Sequence, residues 1–229
     1  CLGGFLVPFL PDIICDFSLP GLTSISMDTH KYGYGPKGGR VVLYRDKKFL
    51  KNHCFVKDDW TGGIYGTSNL TGSRSGAIIG LTWATMLSIG LNGYKKEAQK
   101  IRNLTLKVSK SINENPHLDL MGSPSVCIVA ISSSSFNIYL LADKMKELGW
   151  SLGVLQKPDS FHFCITSIHT NDVILNFIDD INQLTNEIMK DENKESMIPK
   201  CIYGTTQKVD NEIITDMVKE YICCLSEIK

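Results

Sequence analysis

Between Leu22 and Tyr44 the chain reads as strand, glycine-rich turn, strand, and this segment constrains the fold more than any other. Leu22 to Met27 and Gly39 to Tyr44 are rich in apolar and β-branched residues, the pattern of short strands. Gly33, Gly35, Pro36, Gly38 and Gly39 between them force a tight turn, so the strands are expected to be neighbours in one sheet. The first strand runs directly into His30-Lys31. A free lysine has a pKa of about 10.4 and is a poor nucleophile at neutral pH, so a reactive one needs burial or neighbouring positive charge. His30, Lys37 and Arg40 supply nearby basic character. On composition alone, a lysine followed by glycines is more often a solvated surface residue.

At 229 residues and 43% hydrophobic content, the chain can bury a proper core as one large or two small domains. Lysine plus arginine equals aspartate plus glutamate at 24 each, so no net field recommends nucleic acid or an anionic membrane surface, and any anion would be recognised locally. The eight cysteines form no C-x-x-C pair and have no zinc spacing with histidine. They read as reduced thiols of a cytosol-facing protein, with only Cys223 and Cys224 adjacent. The longest apolar run, Gly76 to Leu91, is short and broken by Thr82, Thr85 and Ser88, so it reads as a buried helix rather than a membrane span. Pro8 and Pro11 deny a spanning or signal helix to the apolar opening, and a soluble chain without a membrane anchor is expected. The start at Cys1, with no strand-helix unit before the lysine segment, suggests the carboxy-terminal portion of a longer enzyme.

Two units joined by a helix are expected. The apolar helix from Gly76 is broken at Asn92-Gly93, and a long polar helix follows from Tyr94 to Asn115, ended by Pro116. Beyond it lie a strand at Val126 to Ile131, a helix at Asn137 to Leu148 stopped by Gly149, strands near Trp150 to Leu155 and Phe161 to Thr166, and a helix at Asp172 to Met189. That order is a compact α+β domain. A charged stretch, Lys190 to Lys200, reads as a solvated loop before a final helix from about Asn211 to Ser226.

A second chemically loaded stretch runs from Trp60 to Arg74. Its four glycines, several hydroxyls and Arg74 could make a loop whose amides and side chains hold an anion, or a plain surface loop. Lys37, in Gly35-Pro36-Lys37-Gly38-Gly39, offers a further cation in the lysine turn, although a solvated turn lysine is the commoner fate of such a residue. His162 alternates with aromatics on a strand and reads as structural, and His53, His117 and His169 show no ligand spacing.

Asp28-Thr29-His30-Lys31-Tyr32-Gly33, the Trp60–Arg74 stretch, Trp83-Ala84-Thr85-Met86, Asn92-Gly93-Tyr94 and Leu155-Gln156-Lys157-Pro158 together resemble the group II pyridoxal-phosphate-dependent decarboxylase family, and within it the sphingosine-1-phosphate lyase branch. The likeness covers almost the whole chain and about the second half of a family member. It implies a fold-type-I α/β architecture: residues 1–92 would be the end of the cofactor-binding large domain, and residues 93–229 a connecting helix and small α+β carboxy-terminal domain. It further implies pyridoxal 5'-phosphate as cofactor, with Lys31 as the Schiff-base lysine and His30, Tyr65, Gly66 and Thr67 as cofactor-binding residues. Lys37 would act in catalysis and, with Arg74, receive the substrate phosphate. The loop departs from the family wording, with Thr67-Ser68-Asn69 in place of Ser-Pro-Thr and Ser75 in place of proline. The implied activity is retro-aldol cleavage of a phosphorylated sphingoid base to a long-chain aldehyde and phosphoethanolamine. A homodimer with shared active sites, no metal and no nucleic acid is implied, as is an endoplasmic-reticulum membrane location facing the cytosol for a full-length member. The competing readings are an amino-acid decarboxylase of the same fold and an inactive fragment that pairs with an intact subunit. A chain lacking the family's carboxylate for the pyridine nitrogen is expected to be inactive alone.

Overall fold

The computed structural model describes residues 1–191 and 209–226. It divides into two compact units, one of residues 1–103 with 125–127 and one of residues 104–124 with 128–229.

In the first unit, β1 (Ser24–Asp28) pairs antiparallel with β2 (Arg40–Tyr44), from Ser24 opposite Tyr44 to Asp28 opposite Arg40. The expected pair is therefore present, displaced by a residue or two. The short helix α1 (Lys47–His53), too brief to carry a periodic signal, starts where the Asp46 carboxylate accepts the Lys48 amide hydrogen at 2.8 Å. Strands β3 (Phe55–Lys57) and β4 (Tyr65–Thr67) form an antiparallel ribbon, so part of the Trp60–Arg74 stretch is strand.

The helical segment α2 spans Ala77–Glu114 and is interrupted at Gly90, which takes φ 67° and ψ 169°. The break thus falls at Gly90 and not at Asn92-Gly93. A left-handed φ costs glycine nothing for want of a Cβ, whereas asparagine pays a steric penalty there. Nor is the first half of α2 a buried helix: Ile79, Trp83, Leu87 and Leu91 are all more than half exposed. Apolar spacing identifies a face that seeks cover, and no other part of the described chain covers this one. The second half is different. Tyr94, Ala98 and Ile101, at helical spacing, are buried, as are Phe5, Leu6 and Leu10 of the amino-terminal segment. Tyr94 stacks on Phe9 and tilts against Phe5, and Arg102 forms a two-pronged ion pair with Asp12. Proline at the start of the 3-10 turn Val7–Phe9 shapes this segment as a turn.

The second unit is a four-stranded antiparallel sheet, ordered β5 (Asp119–Leu120), β6 (Ile128–Ser132), β8 (Ser160–Cys164), β7 (Gly153–Leu155). Helices α3 (Ile138–Glu147) and α4 (Asn171–Lys190) start at the side-chain caps Asn137 and Thr170. Val129, Ile131, Phe161 and Phe163 of the sheet are buried, as are Leu141 and Met145 of α3 and Ile174, Phe177 and Ile181 of α4. Each such side chain contributes about 1.5–3 kcal/mol on burial. The strand expected over Trp150–Leu155 shortens to β7 because Trp150 belongs to the end of α3. Its amide donates to Met145 O at 3.1 Å, and its indole donates to Asp180 Oδ2 at 2.8 Å while lying edge-on to Phe163 and Phe177. His162 sits half-buried between Phe161 and Phe163, a structural position. The carboxy-terminal helix α5 (Asn211–Ser226) has the expected bounds. The charged stretch 190–200 lies, apart from its first two residues, outside the described residues. Among the described residues no helix is long and apolar enough to cross a membrane.

Candidate functional site

Strand β1 ends at Asp28, and the register of its pairing puts Arg40 opposite. The Asp28 side chain is 2% exposed, and its carboxylate accepts from Arg40 Nε at 2.6 Å on one oxygen and from Lys31 Nζ at 3.0 Å on the other. Hydrogen bonding by Arg40, then by Lys31, holds the Asp28 carboxyl down at about 2 against the opposing effect of burial. Lys31 is 35% exposed and the Arg40 side chain 57%, so both cations reach solvent while the anion between them does not.

Backbone bonds shape the turn around Lys31. Its amide donates to Asp28 O at 3.2 Å, the Tyr34 amide to Lys31 O at 3.2 Å, and the Gly35 amide to Thr29 O at 3.0 Å. His30 Nδ1–H donates to the Gly39 carbonyl at 2.9 Å, which assigns a proton to Nδ1. Tyr94 reaches across from α2, its hydroxyl donating to Gly33 O at 2.8 Å. Two glycines permit this close packing. A Cβ at Gly33 would lie 2.5 Å from Thr29 O, and one at Gly39 would lie 2.5 Å from Thr29 Oγ1. Thr29 itself is buried, and its hydroxyl has no hydrogen-bond partner among the described residues.

Of the residues expected in a site, His30 and Lys31 lie side by side in the chain at this turn, and Lys37 is exposed farther along the same turn, next to exposed Gly38. The immediate charged neighbour of the Lys31 amine is an anion, Asp28, because Arg40 turns to that carboxylate; the basic surroundings expected from composition are thus neutralised in part. Tyr65 and Gly66 are exposed on β4, and Thr67 follows them, half-buried. The Thr67 hydroxyl donates to Asn69 O at 2.9 Å and accepts from the Asn69 amide at 3.1 Å, a self-closed turn. Arg74 donates to Thr71 Oγ1 from Nε at 3.1 Å and Nη2 at 2.7 Å. These side chains are engaged within their own loop rather than with the Lys31 turn. Residue patterns alone did not single out Asp28, Thr29 or Tyr94. Asp28 lies inside the lysine motif, and its place three residues before Lys31 was the available signal.

The primary amine of Lys31 fits a carbonyl-bearing cofactor. That amine is partly accessible three residues beyond the end of β1, His30 is fixed on the Gly39 carbonyl, and Gly33 and Gly39 pack too closely on Thr29 to admit a Cβ. Among the described residues there is no cluster of histidine, cysteine and carboxylates able to hold a metal ion.

No family model matches the chain. It is 36% identical to the sphingosine-1-phosphate lyase of Drosophila melanogaster over 97% of its own length and 42% of that protein's. To the Saccharomyces cerevisiae sphingosine-1-phosphate lyase it is 38% identical over 94% of its length and 38% of the relative's. A solved structure of a Burkholderia pseudomallei sphingosine-1-phosphate lyase superposes with a TM-score of 0.81 at 33% identity, covering 100% of this chain and 49% of that one. A Lactobacillus brevis glutamate decarboxylase shares the fold at a TM-score of 0.63 and 24% identity, over 83% of this chain and 46% of that one. The chain therefore spans about two-fifths of the length of the curated relatives it matches. In identity and fold the chain is similar to a carboxy-terminal part of the sphingosine-1-phosphate lyases, and it shares the architecture of pyridoxal-phosphate-dependent fold-type-I enzymes.

Proposed function

We propose that this chain carries the cofactor-lysine segment and small domain of a pyridoxal-phosphate-dependent lyase that cleaves a phosphorylated sphingoid base to a long-chain aldehyde and phosphoethanolamine. The observation that carries the reading is identity of 36–38% to sphingosine-1-phosphate lyases across nearly all of the chain, with Lys31 at the strand-to-turn position of the motif. Pyridoxal phosphate, when bound, supplies an electron sink for the carbanion left by carbon-carbon cleavage.

Lys31 would hold the cofactor, its primary amine being the group that meets the carbonyl. His30, the residue before Lys31, is held by its Nδ1–H on the Gly39 carbonyl. Lys37, exposed in the same turn, offers an ammonium to the substrate phosphate, and Arg74 adds a guanidinium suited to paired hydrogen bonds with phosphate. Tyr65, Gly66 and Thr67 belong to the same binding function, serving the cofactor phosphate of a second subunit in a homodimer. Residues 1–92 correspond in this reading to the end of the large domain and 93–229 to the connecting helix and small domain. A full-length protein of this kind acts at the endoplasmic reticulum membrane, facing the cytosol.

The test follows aldehyde and carbon dioxide from sphingosine 1-phosphate and from a panel of amino acids, using the chain alone and any longer product of its gene. Aldehyde release by the longer product that depends on the substrate phosphate and is largely lost in Lys37→Ala, with none from the chain alone, is the expected result. Carbon dioxide release from an amino acid, indifferent to Lys37, replaces this reading with the decarboxylase one.

A further inference from the structure

Asp28 carries more cationic partners than its single charge needs. Lys31 Nζ lies 3.0 Å from Oδ2 and Arg40 Nε 2.6 Å from Oδ1, although the carboxylate is 98% shielded from solvent. A carboxylate in that position cannot be left alone, because stripping a solvent-shielded charge of its only counter-ion is strongly unfavourable. If Lys31 were the sole partner, engaging its amine elsewhere would strand Asp28. Arg40 removes that obstacle. It is anchored on β2 directly opposite Asp28, independently of the turn that carries Lys31. His30 does not compete for the carboxylate, since its Nδ1–H is committed to the Gly39 carbonyl.

We infer that Asp28 and Arg40 are positioning residues for Lys31: Asp28 aims the amine by pairing with it, and Arg40 keeps Asp28 satisfied so that the amine can be released to a carbonyl group without stranding a buried charge. The inference rests on reading Lys31 as the cofactor lysine and adds to it the device that frees this amine.

The test measures acetylation rates of individual lysines by acetic anhydride and mass spectrometry at pH 8, in the 229-residue chain without cofactor, with Lys37 as internal reference. An amine held by a carboxylate is a poor nucleophile. Asp28→Asn should raise the Lys31 rate relative to Lys37 several-fold. Arg40→Met, which leaves Lys31 as the only partner of Asp28, should lower it several-fold, and Arg40→Lys should return it towards wild type. A purely structural role would move both variants the same way. An unchanged or faster Lys31 rate in folded Arg40→Met overturns the inference.

Should Arg40→Met unfold, evident as faster labelling at every lysine, carbon-13 titration of Asp28 in Lys31→Met decides. A carboxyl that still titrates near 2 supports the Arg40 role, whereas one that climbs to the ordinary value of about 3.9 or above overturns it. Borohydride capture of pyridoxal phosphate is a separate arm. Capture at a lysine other than Lys31 removes the cofactor reading while leaving these rates and titrations as they are.

Discussion

Replacing Gly39 by alanine tests the packing that supports the lysine turn. The new Cβ would sit 2.5 Å from Thr29 Oγ1 and 3.4 Å from both Pro36 O and Thr82 Oγ1. Only the first contact is closer than atoms tolerate, so the effect should be traceable to one oxygen. Overpacking of this kind costs about 1–3 kcal/mol. For a chain of this size that is about 2–4 °C of melting temperature per kcal/mol. Thr29 leads directly into His30 and Lys31, and its carbonyl accepts the Gly35 amide at 3.0 Å, so hydrogen exchange at Gly35 reads the damage locally. Loss of about 1–3 kcal/mol there lowers protection roughly 5- to 150-fold. Thr29→Ala removes the colliding oxygen, and with it a buried hydroxyl that has no partner, so alone it should be nearly neutral and in combination should rescue Gly39→Ala. Thr29→Val keeps bulk at the same place and should not. A coupling of at least about 1 kcal/mol between Gly39→Ala and Thr29→Ala is expected, measured by thermal melts and exchange of the four-variant cycle. Additivity within about 0.5 kcal/mol would refute the contact as the cause.

Three further outcomes can be checked by similar means. The Asp28 carboxyl is held at about 2, below the ordinary aspartate value of about 3.9, so its stabilising share is complete above that ordinary value and is lost as pH falls towards 2; Asp28→Asn should flatten the acid arm of a stability profile between about pH 4 and 2. Burial, and then the nearby Tyr34, push the Tyr94 phenol upward, so its contribution is complete below the ordinary tyrosine range and fades as pH rises through the raised value. Tyr94→Phe should remove that alkaline dependence, cost about 0.5–1.5 kcal/mol for the lost bond to Gly33 O, and speed exchange in the lysine turn. In the second unit Phe177 stacks on Phe163 with centroids 4.1 Å apart and is wholly buried, so Phe177→Ala should cost about 3–5 kcal/mol by chemical denaturation; a loss under about 1 kcal/mol would contradict that packing.

Much of the second unit is legible in residue order, because its signals act over a few residues. Asn137 and Thr170 cap α3 and α4 through their own side chains, and Gly149, with φ 93°, follows the end of α3 as a glycine there is expected to do. The turn of β1 and β2 is legible for the same reason. By contrast, the linear reading puts the break of α2 at Asn92-Gly93, and the backbone uses Gly90, three residues before Gly93. The short helix α1 and the two-residue strand β5 are held by caps and pairing rather than by periodicity, so the pattern of residues carries no warning of them.

The lysine site divides along the same line. That Lys31 follows a strand, comes next after His30 and enters a glycine turn can be read from residue order, and the wording around it sufficed to point to the relatives. The electrostatics of that lysine come instead from contacts made across the fold. Arg40 is nine residues beyond Lys31 in the chain, yet strand register sets it against Asp28 and takes its charge away from the lysine's surroundings. Tyr94 acts from a distant helix upon Gly33. Likewise the apolar spacing of α2 is visible from residue order, but whether that face is covered depends on what folds against it. The physical reason is one of range: turn and strand preferences are set by neighbours along the chain, whereas the partner of a charge, or the cover of an apolar face, comes from segments that only the folded chain brings together.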